Sequence, residues 1–90
     1  MEEIEVIIKG RVQLVMYRDF ARRKARGLGL VGFVENRHDG SVIIVTQGPA
    51  EKLKKYVTHL NKGPFLSKVE SVSVTSRPVS ESYLDFSIHY

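Results

Sequence analysis

Cysteine and tryptophan are absent from the ninety residues, and proline occurs three times. The missing thiols exclude disulfide staples, a thiolate nucleophile and cysteine-based zinc sites. Such a composition fits a reducing cytoplasm, which is the location expected. No uninterrupted apolar run approaches the ~20 residues that a helix needs to cross a bilayer, so no membrane partner is expected either. The opening segment MEEIEVIIKG has two acids and no basic stretch ahead of an apolar one, which is not the pattern of a secretory leader. Acidic residues are also in short supply, 10 against 14 Lys and Arg, giving a net charge of +4. A surface of that sign attracts anions, whether phosphates, nucleic acid or anionic membrane faces.

What is present is an ordinary globular composition, 42% hydrophobic and 27% charged, read as one domain over residues 1–90 with a real core. Ile4, Val6 and Ile8 alternate with Glu3, Glu5 and Lys9, the period of a half-buried strand ending at Gly10. Phe20, Ala21, Ala25 and Leu28 recur at helical spacing among Arg22, Arg23, Lys24 and Arg26. That spacing predicts an amphipathic helix over 18–27 with a strongly basic outer face, and Asp19 complements its dipole. Residues 30–36 and 41–47 are β-branched and apolar, and the Asp39-Gly40 pair between them marks a hairpin. Pro49 suits a helix start, and Leu53, Tyr56, Val57 and Leu60 supply a core stripe for a second helix ending near Gly63. Val69, Val72 and Val74 suggest a further strand; Leu84, Phe86, Ile88 and Tyr90 alternate as a short extra C-terminal strand. The order is βαββαβ, a ferredoxin-like α+β sandwich with two helices on one face of an antiparallel sheet. Many unrelated functions share that fold, so function has to come from a site.

The segment GRVQLVMYR at 10–18 lies between the first strand and the first helix. Backbone N–H groups at such a junction, with the helix dipole behind them, favour an anion, and the fork of Arg18 suits phosphate. No Gly-Lys-Ser/Thr follows, so it is not a nucleotide-binding P-loop. The alternative on these residues alone is a connection with two solvated arginines.

GRVQLVMYR and the later GFVENRHDG at 32–40 together resemble the two signature segments of the acylphosphatase family, G-R-V-Q-G-V-x-[FY]-R and G-[FWY]-V-x-N-x-x-D-G. Eight of nine positions agree in the first and all agree in the second. The resemblance implies a metal-independent hydrolase of acyl phosphates that uses no cofactor. Its substrate is a small carboxyl-phosphate mixed anhydride and its products are carboxylate and inorganic phosphate; separately from the resemblance, a monomer without a specific nucleic-acid partner is expected. The resemblance further implies that Arg18 holds the phosphoryl oxygens and that backbone N–H groups of Gln13, Leu14, Val15, Met16, Tyr17 and Arg18 help it. Asn36 is implied to orient the attacking water, a role its paired amide donor and acceptor can fill, although an amide is a poor base.

The chain departs from the pattern at Leu14, where the family has glycine. A leucine held in a left-handed conformation costs about 1–2 kcal/mol. Either the loop takes an ordinary φ at that position, or it is reshaped and activity falls. Two other functions are weighed beside this one: an acylphosphatase-like binding or regulatory module that lost the chemistry, and a non-specific nucleic-acid-binding domain. RGLGLVGF at 26–33 imitates an RNA-recognition segment, but Leu28 and Leu30 stand where base-stacking aromatics belong. His38, His59 and His89 lack the spacing of metal ligands and are read as non-ligands.

Overall fold

The computed structural model describes residues 1–13, 16–79 and 81–90. Along the chain run β1 (Glu2–Arg11), α1 (Tyr17–Gly27), β2 (Val31–Asn36), β3 (Val42–Gly48), α2 (Ala50–Lys62), β4 (Lys68–Arg77) and β5 (Phe86–His89). The sheet order is β4-β1-β3-β2-β5. The four longer strands are antiparallel neighbours, as the hydrophobic pattern predicts, and β5 pairs in parallel with β2. The five-stranded sheet is therefore mixed. The reason is the route from one edge to the other: after β4 the chain crosses the outer sheet face, where Gln47 of β3 donates to the Glu81 carbonyl at 2.6 Å and Phe33 of β2 meets the Tyr83 ring at 6.0 Å.

The alternation in β1 sorts its side chains as expected. Ile4, Val6 and Ile8 are buried with Val34 of β2 and Val42 and Ile44 of β3, under Ala21 and Ala25 of α1 and Leu53 and Leu60 of α2. Each large aliphatic chain removed from water contributes roughly 1.5–3 kcal/mol, so this layer is the main source of stability. β3 is buried along its length except at the half-buried Ile43, and Glu81 meets it at Gln47. Among the covered groups is Glu3, whose carboxylate accepts from Gln47 Nε2 at 2.7 Å and from the Arg77 guanidinium. Pairing of this kind is what a buried charge requires.

Two features of the strands were not visible in the periodicity. Val69 and Val72 both pack against the core although they are three residues apart, because a bulge shifts the β1–β4 register between Lys9 and Gly10. Gly10 has φ 130°, and a Cβ there would lie 2.0 Å from the Lys68 carbonyl oxygen, so the strand needs glycine at this point. At the other edge, Leu84 and Tyr90 fall outside β5, where sequence alternation had included them, and both are almost fully exposed. The strand starts where Asp85 accepts from the Gly32 N–H at 3.0 Å and its carboxylate takes the Phe86 N–H at 2.7 Å.

Two buried tyrosines tie the helices together. Tyr56 of α2 donates to the Ala21 carbonyl of α1 at 2.9 Å, and Tyr17 of α1 donates to the Leu60 carbonyl of α2 at 2.6 Å. Burial pushes both phenols well above their ordinary pKa, so both remain donors at any working pH. The Tyr17 bond has a specific cause. Four residues after Leu60 stands Pro64, which has no N–H to close the helical bond. Tyr17→Phe is therefore expected to cost about 2 kcal/mol, roughly 10 °C in Tm, because it leaves a buried carbonyl without that donor. Tyr56→Phe should cost less, since the Ala21 carbonyl lies inside a helix that supplies its own donor; thermal denaturation of the two variants checks the order.

Candidate active site

α1 begins without a side-chain cap. Its N-cap residue, Met16, has φ 59° and ψ 30°, the left-handed conformation, and the first helical turn closes with Phe20 N–H donating to the Met16 carbonyl at 3.0 Å. The N–H groups of Tyr17, Arg18 and Asp19 therefore have no partner within the helix. A left-handed residue feeding a helix start draws successive N–H groups into a concavity suited to an anion. Among the described residues Met16 is the one non-glycine residue with positive φ. Nothing in an unbranched methionine marks it for that role. Leu14 and Val15 lie outside the described residues.

Arg18 is the second residue of α1 and is half-buried. Its Nη1 donates to the His89 carbonyl at 3.2 Å, and its guanidinium sits 4.8 Å from the centre of the Tyr90 ring. His89 pairs with Glu35 in the β2–β5 ladder, and Asn36 follows as the last residue of β2. The sheet thus brings Arg18 and Asn36 to the same end of the molecule. The Asn36 Oδ1 is buried and, among the described residues, has no hydrogen-bond partner. A buried orphan acceptor costs roughly 1–3 kcal/mol.

The hairpin that carries Asn36 is closed by Arg37 N–H to the Ser41 carbonyl at 2.9 Å and tightened by Asp39, whose Oδ1 accepts from Ser41 N–H and Oγ–H at 3.0 and 2.5 Å. Those two bonds, the side-chain one first, hold the Asp39 carboxyl below its usual range. Gln13 reaches across to the same turn: its Nε2 donates to the Arg37 carbonyl at 2.7 Å and to the Ser41 carbonyl at 2.8 Å.

The basic face of α1 is largely occupied by its own partners. Arg23 and Arg22 both bond Asp19, at 3.0 and 2.9 Å, and hold its carboxyl below the usual range; Arg26 pairs with Asp85 at 2.8 Å, and Lys24 lies over the Phe20 ring. Asp19 is thus in the first turn, where the dipole favours it, and its carboxylate is committed to two guanidinia. His89 stacks on Phe33 at 4.3 Å, with its Nδ1 3.5 Å from Glu35. Among the described residues no three His, Asp or Glu side chains gather into a potential metal site. No helix among them is long and apolar enough to cross a membrane.

The family model for acylphosphatase matches residues 4–88. The chain belongs to the acylphosphatase family. It is similar to an acylphosphatase of Thermus thermophilus, with 49% identity over 74 residues, covering 82% of this chain and 84% of that protein. Against an acylphosphatase of Thermotoga maritima the identity is 39% over 90 residues, covering 100% and 99%. The crystal structure of acylphosphatase from Bacillus subtilis superposes with a TM-score of 0.97 at 39% identity and covers all of both chains. Membership of the acylphosphatase family draws attention to the two segments that sequence reading paired, and Gln13 of the first bonds the turn that follows Asn36 of the second. Sequence reading missed the side chain of Gln13 and the bracing of Arg18 by His89 and Tyr90. Neither has a local signal, since each joins residues more than twenty positions apart.

Proposed function

We propose that the chain hydrolyses acyl phosphates, with Arg18 and the first N–H groups of α1 holding the phosphoryl group and Asn36 orienting the water. The observation that carries this reading is the placement of Arg18, bonded to the His89 carbonyl, and Asn36, next to His89's ladder partner Glu35, at the same end of the sheet. A water hydrogen-bonded to the Asn36 side-chain amide aims its lone pair at phosphorus. The bridging P–O bond breaks, the carboxylate leaves with the bonding electrons, one proton of the water passes to a phosphoryl oxygen of the substrate and the other stays on the attacking oxygen. The products are carboxylate and dihydrogen phosphate, so neither a base nor a cofactor is consumed. The transition state is loose, and catalysis consists of positioning and of electrostatic stabilisation by Arg18 and the helix N-terminus. Because a carboxylate is a good leaving group and Arg18 supplies positive charge, the reaction is assigned no metal. Backbone N–H groups of Gln13, Leu14, Val15 and Met16 belong to the proposed cradle by family pattern, and those of Tyr17 and Arg18 have the further support of lacking a partner within the helix.

The proposal takes the protein to act as a monomer in the cytoplasm on a small substrate, without nucleic acid. The paired cations of α1 favour it over the nucleic-acid reading, since most of that basic face already has acidic or aromatic partners. Turnover of a synthetic acyl phosphate in excess chelator is the test: undiminished hydrolysis is expected, and a folded protein with no turnover would reduce the chain to a binding module.

A further inference from the structure

The side chain of Gln13 joins the two halves of the site. Both hydrogens of its Nε2 are used, one on the Arg37 carbonyl at 2.7 Å and one on the Ser41 carbonyl at 2.8 Å. Since both partners are carbonyls, only the NH₂ end of the amide can satisfy them, and the orientation of the group is settled by chemistry. Arg37 and Ser41 are the residues that close the turn, by the Arg37 N–H bond to Ser41, and Asn36 sits immediately before it, in the terminal Asn36–Val42 pair of the β2–β3 ladder. A terminal ladder pair frays unless something beyond it is tied down. On its own side Gln13 follows Val12, which is buried in the core, so the anchor is firm. Among the described residues the Asn36 Oδ1 has no hydrogen-bond partner that could hold the side chain instead.

We infer that Gln13 is a positioning residue: its side-chain amide fixes the hairpin so that Asn36 stands at the correct distance from the phosphate cradle. This goes beyond the contribution of its backbone N–H and rests on the assignment of Asn36 above. A misplacement of about 1 Å in such a group can cost ~10²-fold in rate. Gln13 should therefore act on kcat through Asn36, and leave the anion affinity set by Arg18 and the helix start unchanged.

The experiment is a double-mutant cycle in kcat, with inhibition by inorganic phosphate measured in parallel. Gln13→Met keeps the length and removes both donors. It is expected to lower kcat about 10- to 100-fold, with the phosphate inhibition constant within about twofold of the parent. In an Asn36→Ala background the same change is expected to alter kcat less than about threefold, the mark of two residues acting as one unit. Additive effects, or a rise in the phosphate constant that matches the loss in kcat, would overturn the inference while leaving the role of Asn36 standing. An Asn36→Ala protein with the parent kcat would overturn both. Should Gln13→Met not fold, Gln13→Glu enters the same cycle, since its ionised carboxylate has the same reach and no donor.

Discussion

Arg18→Ala is expected to lower kcat/KM for an acyl phosphate by about 10³-fold or more, with inhibition by inorganic phosphate lost in parallel. The phosphoryl group carries its charge into the transition state, and among the described residues Arg18 is the cation that the fold holds at this helix start. Its Nη1 is engaged by the His89 carbonyl and its guanidinium lies by the Tyr90 ring, so the side chain is partly held before substrate arrives, and a guanidinium has further N–H groups to offer oxygens. Arg18→Lys keeps the charge and loses the planar fork; it should recover part of the binding and less of the rate. Steady-state kinetics on both variants, with folding checked by circular dichroism, separates charge from geometry. Unchanged phosphate inhibition in Arg18→Ala would remove the residue from the cradle.

Asn36→Ala should lower kcat by about 10²- to 10³-fold, the usual effect of losing one pre-organised polar group at a reacting centre, and change KM little. The same substitution should not lower Tm. A buried acceptor without a partner is a cost to the folded state of roughly 1–3 kcal/mol, and removing it relieves that cost. A residue that slows the reaction when removed, yet leaves the fold as stable or more so, has been kept for its chemistry. A large fall in Tm together with unchanged kcat would instead make Asn36 a structural member of the hairpin.

Much of this was legible before any coordinates. Ile4, Val6 and Ile8 announce a strand with one buried face, Asp39-Gly40 announces the hairpin, and the stripe from Leu53 to Leu60 announces α2, because each signal is local and set by the period of its element. The two segments ending in Arg18 and holding Asn36 were legible as a pair by family resemblance. What escaped is non-local. Alternation in Phe86 and Ile88 tells which faces a strand has and not which neighbour it takes, so the parallel pairing with β2 was out of reach. The extra residue in β4 breaks the spacing between Val69 and Val72 for a reason that lies on β1. The left-handed conformation of Met16 at the helix start has no signal in the residue itself, and the question of φ at Leu14 lies outside the described residues. Long-range bonds such as Gln13 to the hairpin and Tyr17 to Leu60 depend on the turn and on Pro64 respectively, and become readable only when the fold has joined them.

The central claim is that water attacks phosphorus in a cradle built around Arg18 and Asn36. It is tested most directly by hydrolysing a synthetic acyl phosphate in ¹⁸O-labelled water and locating the label by mass spectrometry. The expected result is label in the inorganic phosphate and none in the carboxylate, since the bridging P–O bond is the one that breaks. Label in the carboxylate would mean attack at the acyl carbon, and would contradict the assignment of both residues.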